Sequence, residues 1–242
     1  SITVAPASPI VLVQSASVAG TSVGALTQAF PAATTAGDLL LVLVRMSTTT
    51  QTVTVADTAG NPYLLAAAQA QSADGHQTRL YYARAATGGA TTVTATFSAT
   101  NNHPWLAVYE YRGVATLDQT GQAQGSSAAP TCATAATTSP TELVFAAVGL
   151  PSSSGVTVTA GAGYTLQQQD PVAGRSRAAT EDLRASATGS FTPAFGLSGT
   201  ASWSCVVATF APAPAGVAGV AATLAQPVRA EVRLFWPFRR PR

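Results

Sequence analysis

The chain repeats itself, and a fixed-period repeat limits the folds open to it more than any other property. Asp38-Leu39-Leu40-Leu41-Val42-Leu43-Val44 is an acidic residue followed by an apolar run. Glu142-Leu143-Val144-Phe145-Ala146-Ala147-Val148 restates it 104 positions later. Thr52-Val53-Thr54-Val55 returns as Val156-Thr157-Val158-Thr159, with Val53 and Val156 103 positions apart. Tyr63-Leu64-Leu65 returns as Tyr164-Thr165-Leu166 after 101 positions. The approaches match as well, Pro31–Thr35 in one copy and Thr134–Thr138 in the other, and each copy closes on a Trp-led apolar strand, Trp105–Tyr111 and Trp203–Phe210. Two copies are too few for a solenoid. The expectation is one duplicated β unit, with halves at about 15–112 and 116–212 that pack on each other.

The pattern between the landmarks is that of strands. Leu39–Met46 is a near-continuous apolar run, which suits a strand buried on both faces. Thr52–Ala56 alternates Val with Thr, and Asp57-Thr58-Ala59-Gly60-Asn61-Pro62 is a dense turn signal. Gly88-Gly89 makes a hairpin into Thr91–Phe97. The second half reads as strands over Glu142–Leu150, Val156–Ala160, Tyr164–Gln169, Ala178–Ala187, Phe191–Leu197 and Ser202–Phe210. Short strands separated by regular turns predict an all-β, antiparallel sandwich or barrel with no helix. Hydrophobic residues make up 47% and charged residues 9%, which excludes a disordered chain.

Residues 1–9 read as an extended N-terminal arm and 213–242 as a linker and a second arm. The linker Pro212-Ala213-Pro214-Ala215-Gly216 ends the body. Beyond it, Val228, Ala230, Val232 and Leu234 alternate with Arg229, Glu231 and Arg233, a strand with one charged face. Residues 216–242 hold five Arg against Glu231, a net +4, while the other seven Arg face nine acids, a net −2. Arg229, Arg233, Phe235, Trp236, Phe238, Arg239 and Arg240 are therefore candidate partner-binding residues, since aromatic and Arg side chains anchor interfaces. A net +2 does not point to nucleic acid, and no apolar run is long enough to span a membrane. Ser1-Ile2-Thr3-Val4 has neither a charged start nor an apolar region. The expectation is cytoplasmic synthesis, with an already removed signal as the alternative.

The phrases Gly37-Asp38-Leu39-Leu40, Val53-Thr54-Val55 through Asp57 to Gly60-Asn61 and Tyr63, Leu80-Tyr81-Tyr82-Ala83, Gly88-Gly89-Ala90-Thr91-Thr92-Val93-Thr94 and Tyr109-Glu110-Tyr111-Arg112-Gly113-Val114-Ala115 resemble a jelly-roll family of bacterial surface and bacteriophage structural proteins. The resemblance covers about residues 10–212 and implies an antiparallel jelly-roll sandwich. Gly219–Pro227 is similar to a short β repeat of phage virion proteins.

Residues that could carry chemistry are few. His76 and His103 fall in predicted loops with no second ligand at metal spacing, so both are expected at the surface. Asp57 with Asn61 offers too few oxygens for calcium and reads as an Asx-turn. Glu181 and Asp182 are strand neighbours that point to opposite faces, so they cannot flank one glycosidic bond. Glu110 and Glu181 could meet only through the fold. Tyr63, Tyr81, Tyr82, Trp105, Tyr109 and Tyr111 could stack sugars, but their strand periodicity reads as core. Cys132 and Cys205 would bond only if their strands are adjacent, and a cytoplasmic protein would keep them as reduced buried thiols.

The expectation is a non-enzymatic structural subunit of a bacteriophage particle, a capsid decoration, tail or fibre protein. It would need no cofactor or metal, and would assemble through its arms with copies of itself and other particle subunits. It would reside in the virion after synthesis in the host cytoplasm. The alternative is a secreted bacterial surface module that binds glycan or matrix.

Overall fold

A computed structural model describes residues 9–84 and 87–212. Those residues form fifteen strands and no helix, and every strand pair is antiparallel.

The apolar run of the first half becomes β3 (Leu39–Met46), flanked by β8 (Trp105–Arg112) and β6 (Gln77–Arg84). With β1 (Val11–Ala19) and β5 (Leu64–Ala70) at the edges, the order is β1-β8-β3-β6-β5. The matching run of the second half is β10 (Leu143–Gly149), flanked by β15 (Ala201–Pro212) and β13 (Ala178–Arg184). Its sheet is edged by β9 (Val114–Ser127) and β12 (Thr165–Gln169), in the order β9-β15-β10-β13-β12. Two smaller sheets complete the body. One is β2 (Val23–Ala29), β7 (Thr92–Asn101) and β4 (Val53–Asp57), in the order β2-β7-β4; the other pairs β11 (Val158–Thr159) with β14 (Gly196–Leu197).

These sheets stack in four layers, because the two large sheets are apolar on both faces. Every residue of β3 is buried. Leu39, Leu41 and Leu43 pack on Leu143, Phe145, Ala147, Val206, Ala208 and Phe210 of the other large sheet. Leu40, Val42, Val44 and Met46 turn the other way, onto Leu26, Phe30, Val53, Val93, Ala95 and Phe97 of the three-stranded sheet. In β10, Leu143, Phe145 and Ala147 face the central seam, while Val144, Ala146 and Val148 face Phe195 and Leu197 under the two-stranded sheet. A strand with both faces covered loses the in/out alternation of a single sandwich, which is why these two runs are continuous. The two large sheets pack on each other across a seam, with a small sheet outside each.

The seam is mostly Leu, Val and Ala, with aromatic rings meeting across it. Tyr109 lies edge-on to Phe145 at 4.8 Å between ring centres, and Tyr82 to Phe210 at 5.7 Å. Polar groups within it are paired: Tyr109 Oη with Thr180 Oγ1 at 2.7 Å, and Thr78 Oγ1 with Ser204 Oγ at 2.7 Å.

Three expectations change. The Trp residues that head the closing strands do not correspond. Leu39 sits opposite Tyr111 and Leu143 opposite Phe210, so Arg45 opposite Trp105 matches Gly149 opposite Ser204. Trp203 lies one residue off, and a one-residue offset reverses the face. Trp105 points into the seam, and Trp203 points outward against Cys205 and Val207. Second, β9 is a fourteen-residue strand in a region with no predicted strand. Its Gln, Gly, Thr and Ser residues lack an apolar face, but β15 pairs along its length. A Cβ at Gly125 would stand 2.5 Å from the Trp203 ring, so glycine there makes room for the indole. Third, the predicted Phe191–Leu197 strand shrinks to two residues, since Pro193 has no N–H for a ladder.

Candidate functional site

Each titratable residue singled out in the sequence can be followed to its place. His76 is the clearest correction: it is 1% exposed, not at the surface. Its Nδ1 lies 2.6 Å from Asp74 Oδ1 and its Nε2 3.0 Å from the Gly149 carbonyl oxygen, across the seam. The short turn that closes with Gln71 N–H donating to the His76 carbonyl folds the ring inward. Both ring nitrogens lie within hydrogen-bond distance of acceptors, and a neutral imidazole can donate to only one of them. Burial pushes the His76 pKa down, and Asp74 opposes that push. His103 is half-buried, and its backbone does the work: its N–H donates to Ser47 Oγ and its carbonyl accepts from Arg45.

Arg45 is 1% exposed and ties the halves together. Its guanidinium donates to the His103 carbonyl from Nη1 and to the Leu150 carbonyl from Nη2, both at 2.8 Å. Burial brings its pKa down to about 10, which leaves it charged at neutral pH.

Asp57 forms the expected Asx-turn. Oδ1 accepts from Ala59 N and Asn61 N, and Oδ2 accepts from Asn61 Nδ2 and Tyr63 Oη, at 2.8 to 3.0 Å. Four donors converge on this carboxylate, an environment built for its negative charge by the protein's own N–H and O–H groups. Among the described residues, no group of three or more His, Cys, Asp or Glu gathers at metal-binding distance.

Glu181 and Asp182 point to opposite faces. Asp182 accepts from Tyr111 Oη and Gln167 Nε2 at 2.8 Å, at the seam. Glu181 accepts from Gly161 N at 2.7 Å, and its other oxygen has no partner among the described residues. Burial, reinforced by the Asp182 charge, pushes the Glu181 pKa up to about 7. Glu110 and Glu181 do not meet. Glu110 lies opposite Leu40, which faces the three-stranded sheet, and Glu181 lies opposite Ala146, which faces the two-stranded one. Both large sheets stand between them. Glu110 accepts from Thr35 N at 2.6 Å and Gln14 Nε2 at 2.5 Å. Beside it, burial and Glu110 raise the pKa of Asp38, against the pull of Arg112.

Of the aromatic residues considered for sugar stacking, Tyr81, Trp105, Tyr109 and Tyr111 are buried in the core, while Tyr63 and Tyr82 are half-buried. Cys132 and Cys205 are joined in a disulfide with Cα atoms 5.8 Å apart, contrary to the expectation of reduced thiols. Thr131, just before Cys132, bridges Ala194, and the disulfide ties the segment to β15. The candidate partner-binding residues Arg229, Arg233, Phe235, Trp236, Phe238, Arg239 and Arg240 lie outside the described residues, as does nearly all of both arms.

What the body presents outward is an open sheet edge. Among the described residues no strand pairs with the outer side of β4, and in the adjacent β5 Leu64 and Leu65 are 57% and 47% exposed. Sequence reading found β5 as a strand but could not see that its leucines lie uncovered. No family model matches the chain, and neither does any curated protein or solved structure.

Proposed function

We propose that the chain is a non-enzymatic structural subunit of a bacteriophage particle, a capsid decoration, tail or fibre protein. It would associate with copies of itself and other subunits through its terminal arms. The observation that carries this reading is where the body places its polar chemistry. His76, Arg45, Glu110 and Asp182 are each buried and bonded to other parts of the same body. Outward it offers an uncharged Thr- and Ala-bearing sheet, with Thr27, Thr54 and Thr96 exposed, and the open edge at β4. Groups used for internal ties, and an edge that invites pairing, suit a building block.

Internal duplication of a jelly roll is part of the proposal. The order β1-β8-β3-β6, with β5 added at its edge, opposite β2-β7-β4 supports a jelly-roll winding, and the match of β9-β15-β10-β13-β12 to β1-β8-β3-β6-β5 in chain order supports the duplication. Mass spectrometry of purified particles is the direct test of location, and deletion of residues 217–242 tests assembly by the arm. Absence of the protein from particles, or unimpaired association after the deletion, would refute the respective part.

One observation favours a second reading, a secreted surface module binding glycan or matrix. The Cys132–Cys205 disulfide belongs in an oxidising compartment. Binding of the full chain to immobilised glycans, with fractionation of cells into surface and cytoplasmic pools, separates the two readings.

A further inference from the structure

We infer that the outer edge of β4, with the face of β5 beside it, receives the Val228–Leu234 segment of a second copy of this chain. The inference rests on the arm-mediated assembly proposed above and names the surface that the arm meets.

Leu65 lies opposite Tyr81, and side chains of opposed residues share a face. Tyr81 packs beneath the three-stranded sheet and donates its hydroxyl to the Val53 carbonyl of β4. Leu65 therefore faces the same layer, but that layer stops at β4. Among the described residues the large sheet has five strands and the small one three, so β5 projects beyond that cover, and Leu65 is 47% exposed. One more strand beside β4 would cover it.

The existing strand dictates the pattern such a guest must have. In β4, Val53 and Val55 pack inward while Thr54 and Ala56 are exposed. A strand laid alongside must likewise put apolar residues in and polar residues out. Val228, Ala230, Val232 and Leu234 supply the first set, and Arg229, Glu231 and Arg233 the second. The β4 edge also lacks the usual guards against pairing, Lys or Pro. Its one charge, Asp57, is taken up by its own turn.

The length of chain outside the body argues for a second copy. The described chain ends at Pro212, two residues past Phe210, whose ring packs on Tyr82, the residue opposite Leu64. The exit is thus close to β5, and a return to the same body would need only a short loop. Residues 213–227 are fifteen, enough to reach about 50 Å when extended. That is long enough to reach a neighbouring molecule.

The test uses full-length chains. One carries Ala56→Cys and another Glu231→Cys, and the two are mixed and oxidised. A disulfide-linked heterodimer on a non-reducing gel is the expected result. A bond that forms only within one chain carrying both changes would overturn the inference, as would no bond in either format. In parallel, Leu65→Asp should raise the concentration for half-association by about tenfold or more. If deletion of 217–242 abolishes association while Leu65→Asp leaves it unchanged, the arm works elsewhere and only this seat is wrong. If the deletion itself changes nothing, the arm-mediated reading fails with it. The cross-link leaves Leu65 intact, so it decides the question even if Leu65→Asp disturbs folding.

Discussion

Glu181→Gln should make the protein more stable at neutral and alkaline pH, and nearly neutral in its effect at acid pH. Glu181 is fully buried; one carboxylate oxygen accepts from Gly161 N and the other meets no donor among the described residues. Burial, with the nearby negative charge of Asp182, raises its pKa from 4.5 to about 7. A carboxyl whose folded pKa is raised binds its proton more tightly in the folded state. Below pH 4.5 both states are protonated and the group costs nothing. Between about 4.5 and 7 the unfolded chain ionises first, and stability falls as pH rises. Above 7 the loss is complete, at about 3 kcal/mol. Glutamine keeps an oxygen for Gly161 N and removes the charge, so it imitates the protonated acid. Urea unfolding followed by tryptophan fluorescence at pH 4.5, 6 and 8 reads the difference between variant and parent, which cancels the other titrating groups. The variant should gain about 2–3 kcal/mol at pH 8 and differ by under about 1 kcal/mol at pH 4.5. A difference that stays constant across this range would show that Glu181 does not titrate as the buried site requires.

Further perturbations probe other ties. Replacing Cys132 and Cys205 by Ser opens a 73-residue loop and should cost about 4 kcal/mol, seen as a fall in Tm; a change under about 1 kcal/mol would mean that the bond contributes little. Trp203→Ala should cost about 3–5 kcal/mol in denaturant unfolding, because the indole fills the space over Gly125; under about 1 kcal/mol would place it outside the core. Arg45→Met leaves the His103 and Leu150 carbonyls without their donor and should cost about 2–4 kcal/mol in the same assay; an unchanged midpoint would show that this bridge is dispensable.

The strands were legible where the pattern comes from local chemistry. Leu39–Met46 has the same limits in sequence and structure, because eight residues covered on both sides leave a continuous run. The Asx-turn at Asp57 was legible for the same reason, since donors and acceptor lie within six residues. What was hidden depends on distant partners. β9 has no apolar alternation and is a strand only because β15 pairs with it. His76 reads as a surface residue until Gly149, seventy-three positions away, supplies the acceptor that closes its loop into the seam. Trp105 and Trp203 looked equivalent because tryptophan is rare, but register is set by ladder pairing, and one residue separates the two faces. The exposure of Leu65 follows from the unequal widths of two sheets, which no run of residues records.

The seam between the large sheets is chemically one-sided. The first half brings the phenols of Tyr109 and Tyr111, and the second brings Thr180 and Asp182 to meet them. Two identical sheets face to face would offer each other the same residues, phenol against phenol and carboxylate against carboxylate. A matched pairing of this kind needs two different sheets, and a chain that carries both can change one side of a contact while the other stays fixed. Expressed apart, each half would lack its complement and could not rebuild the seam by pairing with its own kind.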